Sequence, residues 1–204
     1  MDFSVTSNLY SKWTKSLVQL GIFVGLVLGP LHSIQAAVSE DSPVDAVEYN
    51  LKLARLCATA KFISWPEDGP GAKKPFVIAV IAPNPFGNGL KKLSERKIKD
   101  RPMETKLIRT LEDYSECHLL FIPVGADPKL VDVVLEKVAN RPVLVWRDQP
   151  DPLDPRKASC TFIRQGENLI IEADPKELQR VGLSPDGRLM SLNLVRVIRA
   201  VHEK

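Results

Sequence analysis

Few residues in this sequence have types and spacing that could do chemistry. Histidine occurs at three positions, His32, His118 and His202. His118 lies inside an apolar run and is expected to serve packing, as periodic buried positions do. His202 stands near the chain end, where a cation suits a helix C-terminus. A Ser-His-Asp arrangement therefore has no evident base. Nucleophile-elbow, Walker-type and Gly-x-Gly-x-x-Gly patterns are absent. No Cys-x-x-Cys or Cys/His zinc spacing occurs. Asp148, Asp151 and Asp154 recur every third residue, which could attract a cation, although Pro-Asp-Pro runs are ordinary turn chemistry. The chain is thus not expected to be an enzyme, and neither a metal nor a cofactor is expected.

Binding signals are stronger than catalytic ones. In open α/β sheets, ligands sit at the carboxyl ends of strands. That rule would gather Asn84, Phe86 and Gly87, then Gly125 and Ala126, then Arg147 and Asp148, into one neighbourhood. Phe86 and Arg147 could stack on and pair with a small anionic ligand; the competing reading is a plain loop edge. The segment Phe62-Ile63-Ser64-Trp65-Pro66 is the most distinctive local feature. An aromatic pair beside a helix stop is either a core plug or an interface anchor, since Trp is favoured at binding hot spots.

The elements that must position these residues follow from periodicity. A helix is predicted over 43–63, with Ser42 as cap, Pro43 at the first helical position, and Leu53, Leu56, Cys57 and Ala60 on one face. Trp65-Pro66 ends it, because the residue before proline avoids the α region. Phe76 to Ala82 and Cys117 to Pro123 are continuous apolar runs, expected of strands buried on both faces of a parallel sheet. Strands are also predicted over 103–109, 142–146, 160–164 and 169–173, the last two forming a hairpin around Gly166. Helices are predicted over 88–94, over 128–139 and from Asp174-Pro175 to Gly182, with a final helix over 185–202 that turns Leu189, Leu192, Val195 and Ile198 to the core. This alternation predicts a single three-layer α/β domain with a mostly parallel central sheet, a C-terminal hairpin and flanking helices.

The chain has 204 residues and a net charge of +3, so no strong basic field points to nucleic acid. Its first residues read as a secretory signal peptide: Lys12 and Lys15, an apolar run from Leu17 to Leu28, a Gly29-Pro30 break, and small residues at Ala36-Ala37. The run is shorter than the ~20 residues of a membrane span, the rival reading being an uncleaved anchor. Residues 1–36 are therefore expected to be removed, 37–45 to be a flexible mature N-terminus, and 46–204 to form the domain. The three cysteines are either buried apolar thiols or, in an oxidising compartment, one disulfide and one thiol.

With these residues laid out, the chain resembles the YfiR-like periplasmic proteins. Lys61-Phe62-Ile63-Ser64-Trp65-Pro66 is similar to that family's Lys-Phe-Val-Glu-Trp-Pro signature. Phe76 to Ile81 followed by Asn84-Pro85-Phe86-Gly87 resembles its first strand and Asp-Pro-Phe-Gly turn. Cys117 to Ile122, Pro142 to Leu144 and Phe162 to Glu172 resemble its later strands, in the same order. The resemblance spans roughly Leu53 to Val201. There are departures: Arg55 to Thr59 replaces an aromatic stretch, Asp148 to Pro152 replaces a Gly-rich loop, and Ala173-Asp174 replaces an Ile-Asn pair.

The resemblance implies regulation rather than catalysis. Such proteins are periplasmic, often dimeric, and the best understood kind binds the periplasmic sensor domain of an inner-membrane diguanylate cyclase, lowering cyclic di-GMP output until redox or envelope stress relieves it. Exposure, rather than the resemblance, nominates Phe62, Trp65, Phe86 and Arg147 as contact residues, with Pro66, Asn84, Gly87 and Asp148 beside them completing the candidate binding set. The resemblance also implies a Cys117–Cys160 disulfide, since both lie near family cysteine positions, whereas Cys57 is peculiar to this chain. The alternative expectation is a small-molecule sensor whose pocket lies at Asn84, Phe86, Gly125 and Arg147, its ligand unidentified.

Overall fold

The computed structural model describes residues 43–66, 74–190 and 195–197. The expected signal peptide, the cap at Ser42 and the cleavage site lie outside the described residues. No helix among the described residues is long and apolar enough to cross a membrane.

Helix α1 spans Pro43–Lys61 and runs directly into strand β1, Ile63–Ser64. Strand β2, Phe76–Ile81, is buried at all six positions, as its unbroken apolar run demands. Helix α2 (Asn88–Lys92) leads through a 3₁₀ turn to the short strand β3, Lys97–Ile98, and to β4, Arg101–Ile108. Strand β5 is Leu119–Ile122, α3 is Pro128–Val138 and β6 is Leu144–Asp148. The hairpin pairs β7, Cys160–Gln165, with β8, Asn168–Ala173, around Gly166 at φ +60°. Helix α4 (Pro175–Arg180), strand β9 (Ser184–Pro185), helix α5 (Gly187–Met190) and strand β10 (Val195–Val197) are the last elements among the described residues. Aspartates start two of the helices: Asp127 accepts from the Lys129 amide, and Asp174 from those of Lys176 and Glu177.

Eight strands form one sheet in the order β10-β8-β7-β6-β5-β2-β4-β3, parallel except at the β3–β4 edge and the β7–β8 hairpin. Alternation along β2 divides the core. Phe76, Ile78 and Val80 face α1 and α2, while Val77, Ala79 and Ile81 face α3. The result is the three-layer α/β domain expected from the sequence.

The C-terminal end departs from that expectation. The predicted helix over 185–202 is broken into the one-turn α5 and the strand β10, which pairs parallel with β8 at Val195↔Ile171. Leu189 does enter the core. Val195 and Val197, however, are β-branched at a period of two, and the hairpin leaves the outer edge of β8 open for pairing. Leu192, Ile198 and His202 lie outside the described residues. The first helix also stops two residues early, because Ile63 and Ser64 pair antiparallel with Pro185 and Ser184.

Candidate functional site

The eight candidate binding residues do not form one site. They occupy three places, one at the amino ends of the strands and two at the carboxyl ends. Trp65 packs on Phe76, the first residue of β2, whereas Asn84 to Gly87 follow the last. Six residues of strand span roughly 20 Å.

The first place is an aromatic ridge at the amino ends of the strands. The β1–β9 pairing holds Phe62 and Trp65 half-buried beside an exposed Pro66. The Trp65 ring meets Phe76 edge-on at 5.1 Å and lies 6.3 Å from the ring of His118. Its indole N–H is buried without an acceptor among the described residues. Cations frame the ridge. Lys99 Nζ sits 5.7 Å from the Trp65 ring centroid and Arg188 lies 5.6 Å over Phe62. Asp186, fixed by its backbone hydrogen bond to the Phe62 carbonyl at 2.7 Å, holds Arg188 through Oδ2 at 2.6 Å. The side-chain hydrogen bonds from Arg188 hold the Asp186 carboxyl down at about 2. His118 is a packing histidine, as expected. It stacks on Phe76 at 4.8 Å, and its Nδ1 accepts from the Val77 amide at 3.0 Å.

The second place is a turn that anchors the core. The Asn84 side chain accepts from the Phe86 amide at 3.0 Å and donates to the Gly87 carbonyl at 3.1 Å. Gly87 takes φ +49°, which favours glycine. This fold-back drives Phe86 inward, 4.8 Å from Phe121 and 5.9 Å from Tyr49. Phe86 is 5% exposed, so it is a core plug, and neither the partner contact nor the ligand stacking expected of it is available.

The third place, at the carboxyl ends of β5 and β6, is an ionic network. Lys52, completely buried on α1, reaches Asp148 at 2.8 Å to each carboxylate oxygen and Glu48 at 2.7 Å. Its Nζ also lies 4.4 Å from the Tyr49 ring centroid. Glu48 pairs in turn with Arg164. Arg147 pairs with Asp154 and donates to the Arg156 carbonyl at 2.8 Å, while Arg156 reaches Asp132 at 2.6 Å. A recess of about 190 Å³ here is lined by Gly125, Arg147 and Asp148 but by neither Asn84 nor Phe86. The expected ligand pocket is therefore not assembled, and both Arg147 and Asp148 are committed to internal pairs. The evenly spaced aspartates are spent the same way: Asp148 on Lys52, Asp154 on two arginines, and Asp151 on the Leu153 amide.

Sequence reasoning missed Lys52. The available signal was a lysine one position before Leu53 in the apolar stripe of α1, which cannot be buried without a carboxylate.

The expected Cys117–Cys160 disulfide is not formed. Both thiols are free and buried, and they sit on opposite faces of the sheet, Cys117 with the α3 core and Cys160 with the α1 core. Burial pushes Cys117 up to about 12 and raises Cys160 as well, so neither is a ready thiolate.

A family model described as YfiR/HmsC-like matches residues 49–193, from the middle of α1 to beyond α5. No curated protein matches the chain.

Proposed function

The chain belongs to the YfiR/HmsC-like family, and from that premise we propose that it is a periplasmic regulatory binding protein that restrains a membrane-bound diguanylate cyclase through its periplasmic sensor domain. It acts without catalysis: by binding one conformation of the cyclase it shifts that enzyme's population away from cyclic di-GMP synthesis. The observation that carries the contact assignment is the ridge of Phe62, Trp65 and Pro66, framed by Lys99 and Arg188. Trp and Arg together are the residue types that dominate binding hot spots. The side chain of Arg188 is 77% exposed and already oriented by Asp186, so it loses little freedom on contact. Of the residues first implicated, Phe62, Trp65 and Pro66 remain suited to this role, whereas Phe86, Arg147 and Asp148 serve the core.

Affinity capture from crosslinked cells tests this reading. The tagged protein is expected to enrich an inner-membrane protein that joins a periplasmic sensor domain to a diguanylate cyclase, and Trp65→Ala to lose it. Equal recovery with a folded Trp65→Ala protein would remove the ridge from the account.

A further inference from the structure

A groove of about 380 Å³ runs between α1, α2 and the β3–β4 edge, and shares no lining residue with the aromatic ridge or the ionic network. That volume is within the range of small-molecule sites, ~300–1,000 Å³. Its floor is apolar: Leu53, Leu93, Ile98 and Met103. Gly89 lets α2 close against α1 at one end, where an added Cβ would stand 3.3 Å from Asn50 and from Leu53. Lys61, Lys92, Arg96 and Lys97 form the rim, and no carboxylate lines the groove.

Unpaired cations occur elsewhere on the described surface, Lys91 and Lys129 among them, but at this rim four of them surround one apolar trough with no carboxylate between them. Arg141, Arg147, Arg156, Arg164, Arg180, Arg188 and Arg196 each hold a carboxylate. The four rim cations have no ion pair among the described residues. Unpaired charges of one sign around an apolar trough repel one another, and a counter-charge carrying its own apolar body would relieve this. Cys57 opens onto the trough. Burial raises its thiol, while Arg96 and Lys61, which line the same groove, pull the other way.

We propose that this groove binds a small single-chain amphipathic anion, with its apolar chain on the Leu53–Met103 floor and its carboxylate-type head against the cations Lys61, Lys92, Arg96 and Lys97. The proposal does not depend on the diguanylate-cyclase reading.

Cys57 supplies the test, because the other two cysteines are buried. Alkylation of Cys57 in the intact folded protein is timed with decanoate below its micellar concentration, with decyltrimethylammonium, and with acetate. Decanoate is expected to slow alkylation in a saturable way, and the other two to leave it unchanged. The Lys61→Glu/Arg96→Glu double variant is expected to weaken decanoate protection about tenfold, as two surface charge contacts would. Ala54→Phe, which fills the trough without changing charge, is expected to abolish it. Circular dichroism confirms that each variant is folded. An unchanged alkylation rate with decanoate, or equal protection by decyltrimethylammonium, would overturn the proposal.

Discussion

Replacing Asp148 with Asn strips Lys52 of its principal partner. The lysine has no exposed side-chain surface, and Asp148 embraces it at 2.8 Å through both oxygens. What remains is Glu48, which is 15% exposed and shared with Arg164. Breaking one side of a buried pair leaves an uncompensated charge and costs about 3–5 kcal/mol. Against a total stability of ~5–15 kcal/mol, that is a large fraction. At ~2–4 °C per kcal/mol for a domain of this size, the melting temperature is expected to fall by about 6–20 °C. The double variant Lys52→Met/Asp148→Leu, which removes both charges at similar volume, is expected to recover most of the loss. Thermal and urea unfolding followed by circular dichroism measure both. An Asp148→Asn protein within about 1 kcal/mol of the parent, roughly the worth of an exposed pair, would refute the reasoning.

Other consequences follow from the same packing. Phe86→Ala is expected to cost about 3–5 kcal/mol in urea unfolding, as a buried aromatic does, because the ring fills the space between Tyr49 and Phe121; an unchanged midpoint would return Phe86 to the surface. Stability is expected to fall at alkaline pH. Cys117 is held up at about 12 in the folded chain against an ordinary value near ~8.5, so its contribution is complete below the lower value and is lost as pH rises towards the upper. Cys117→Ala should therefore flatten the stability-against-pH curve above pH ~9, and an unaltered slope would contradict the assignment. Trp65→Ala is expected to weaken sensor-domain binding about 30-fold, the equivalent of a 2 kcal/mol hot spot, as read by titration calorimetry; less than threefold would exclude Trp65 as an anchor.

The central architecture was legible because buried parallel strands write themselves as continuous apolar runs. Phe76 to Ile81 and Leu119 to Ile122 could hardly be read otherwise, and Pro128 and Pro175 marked helix starts. What periodicity could not supply was pairing across the chain. Val195 and Leu192 fit a helical stripe as well as Val195 and Val197 fit a strand; the open edge of β8, a tertiary fact, decided for the strand. The site was legible in its residue types but not in its grouping. Trp65 and Phe86 stand in neighbouring motifs, yet the length of β2 separates them. Arg147 and Asp148 look like ligand-binding residues at a strand end until Lys52 and Asp154 are placed against them. Cys117 and Cys160 look pairable until they are assigned to opposite faces of the sheet.

The most direct test of the account is cyclic di-GMP synthesis by the membrane-embedded cyclase reconstituted with the purified chain. The account predicts that the parent protein suppresses synthesis, that a folded Trp65→Ala/Arg188→Ala protein does not, and that the Lys61→Glu/Arg96→Glu protein still does in the absence of added amphiphile. Full suppression by the ridge variant, or none by the parent protein, would contradict it.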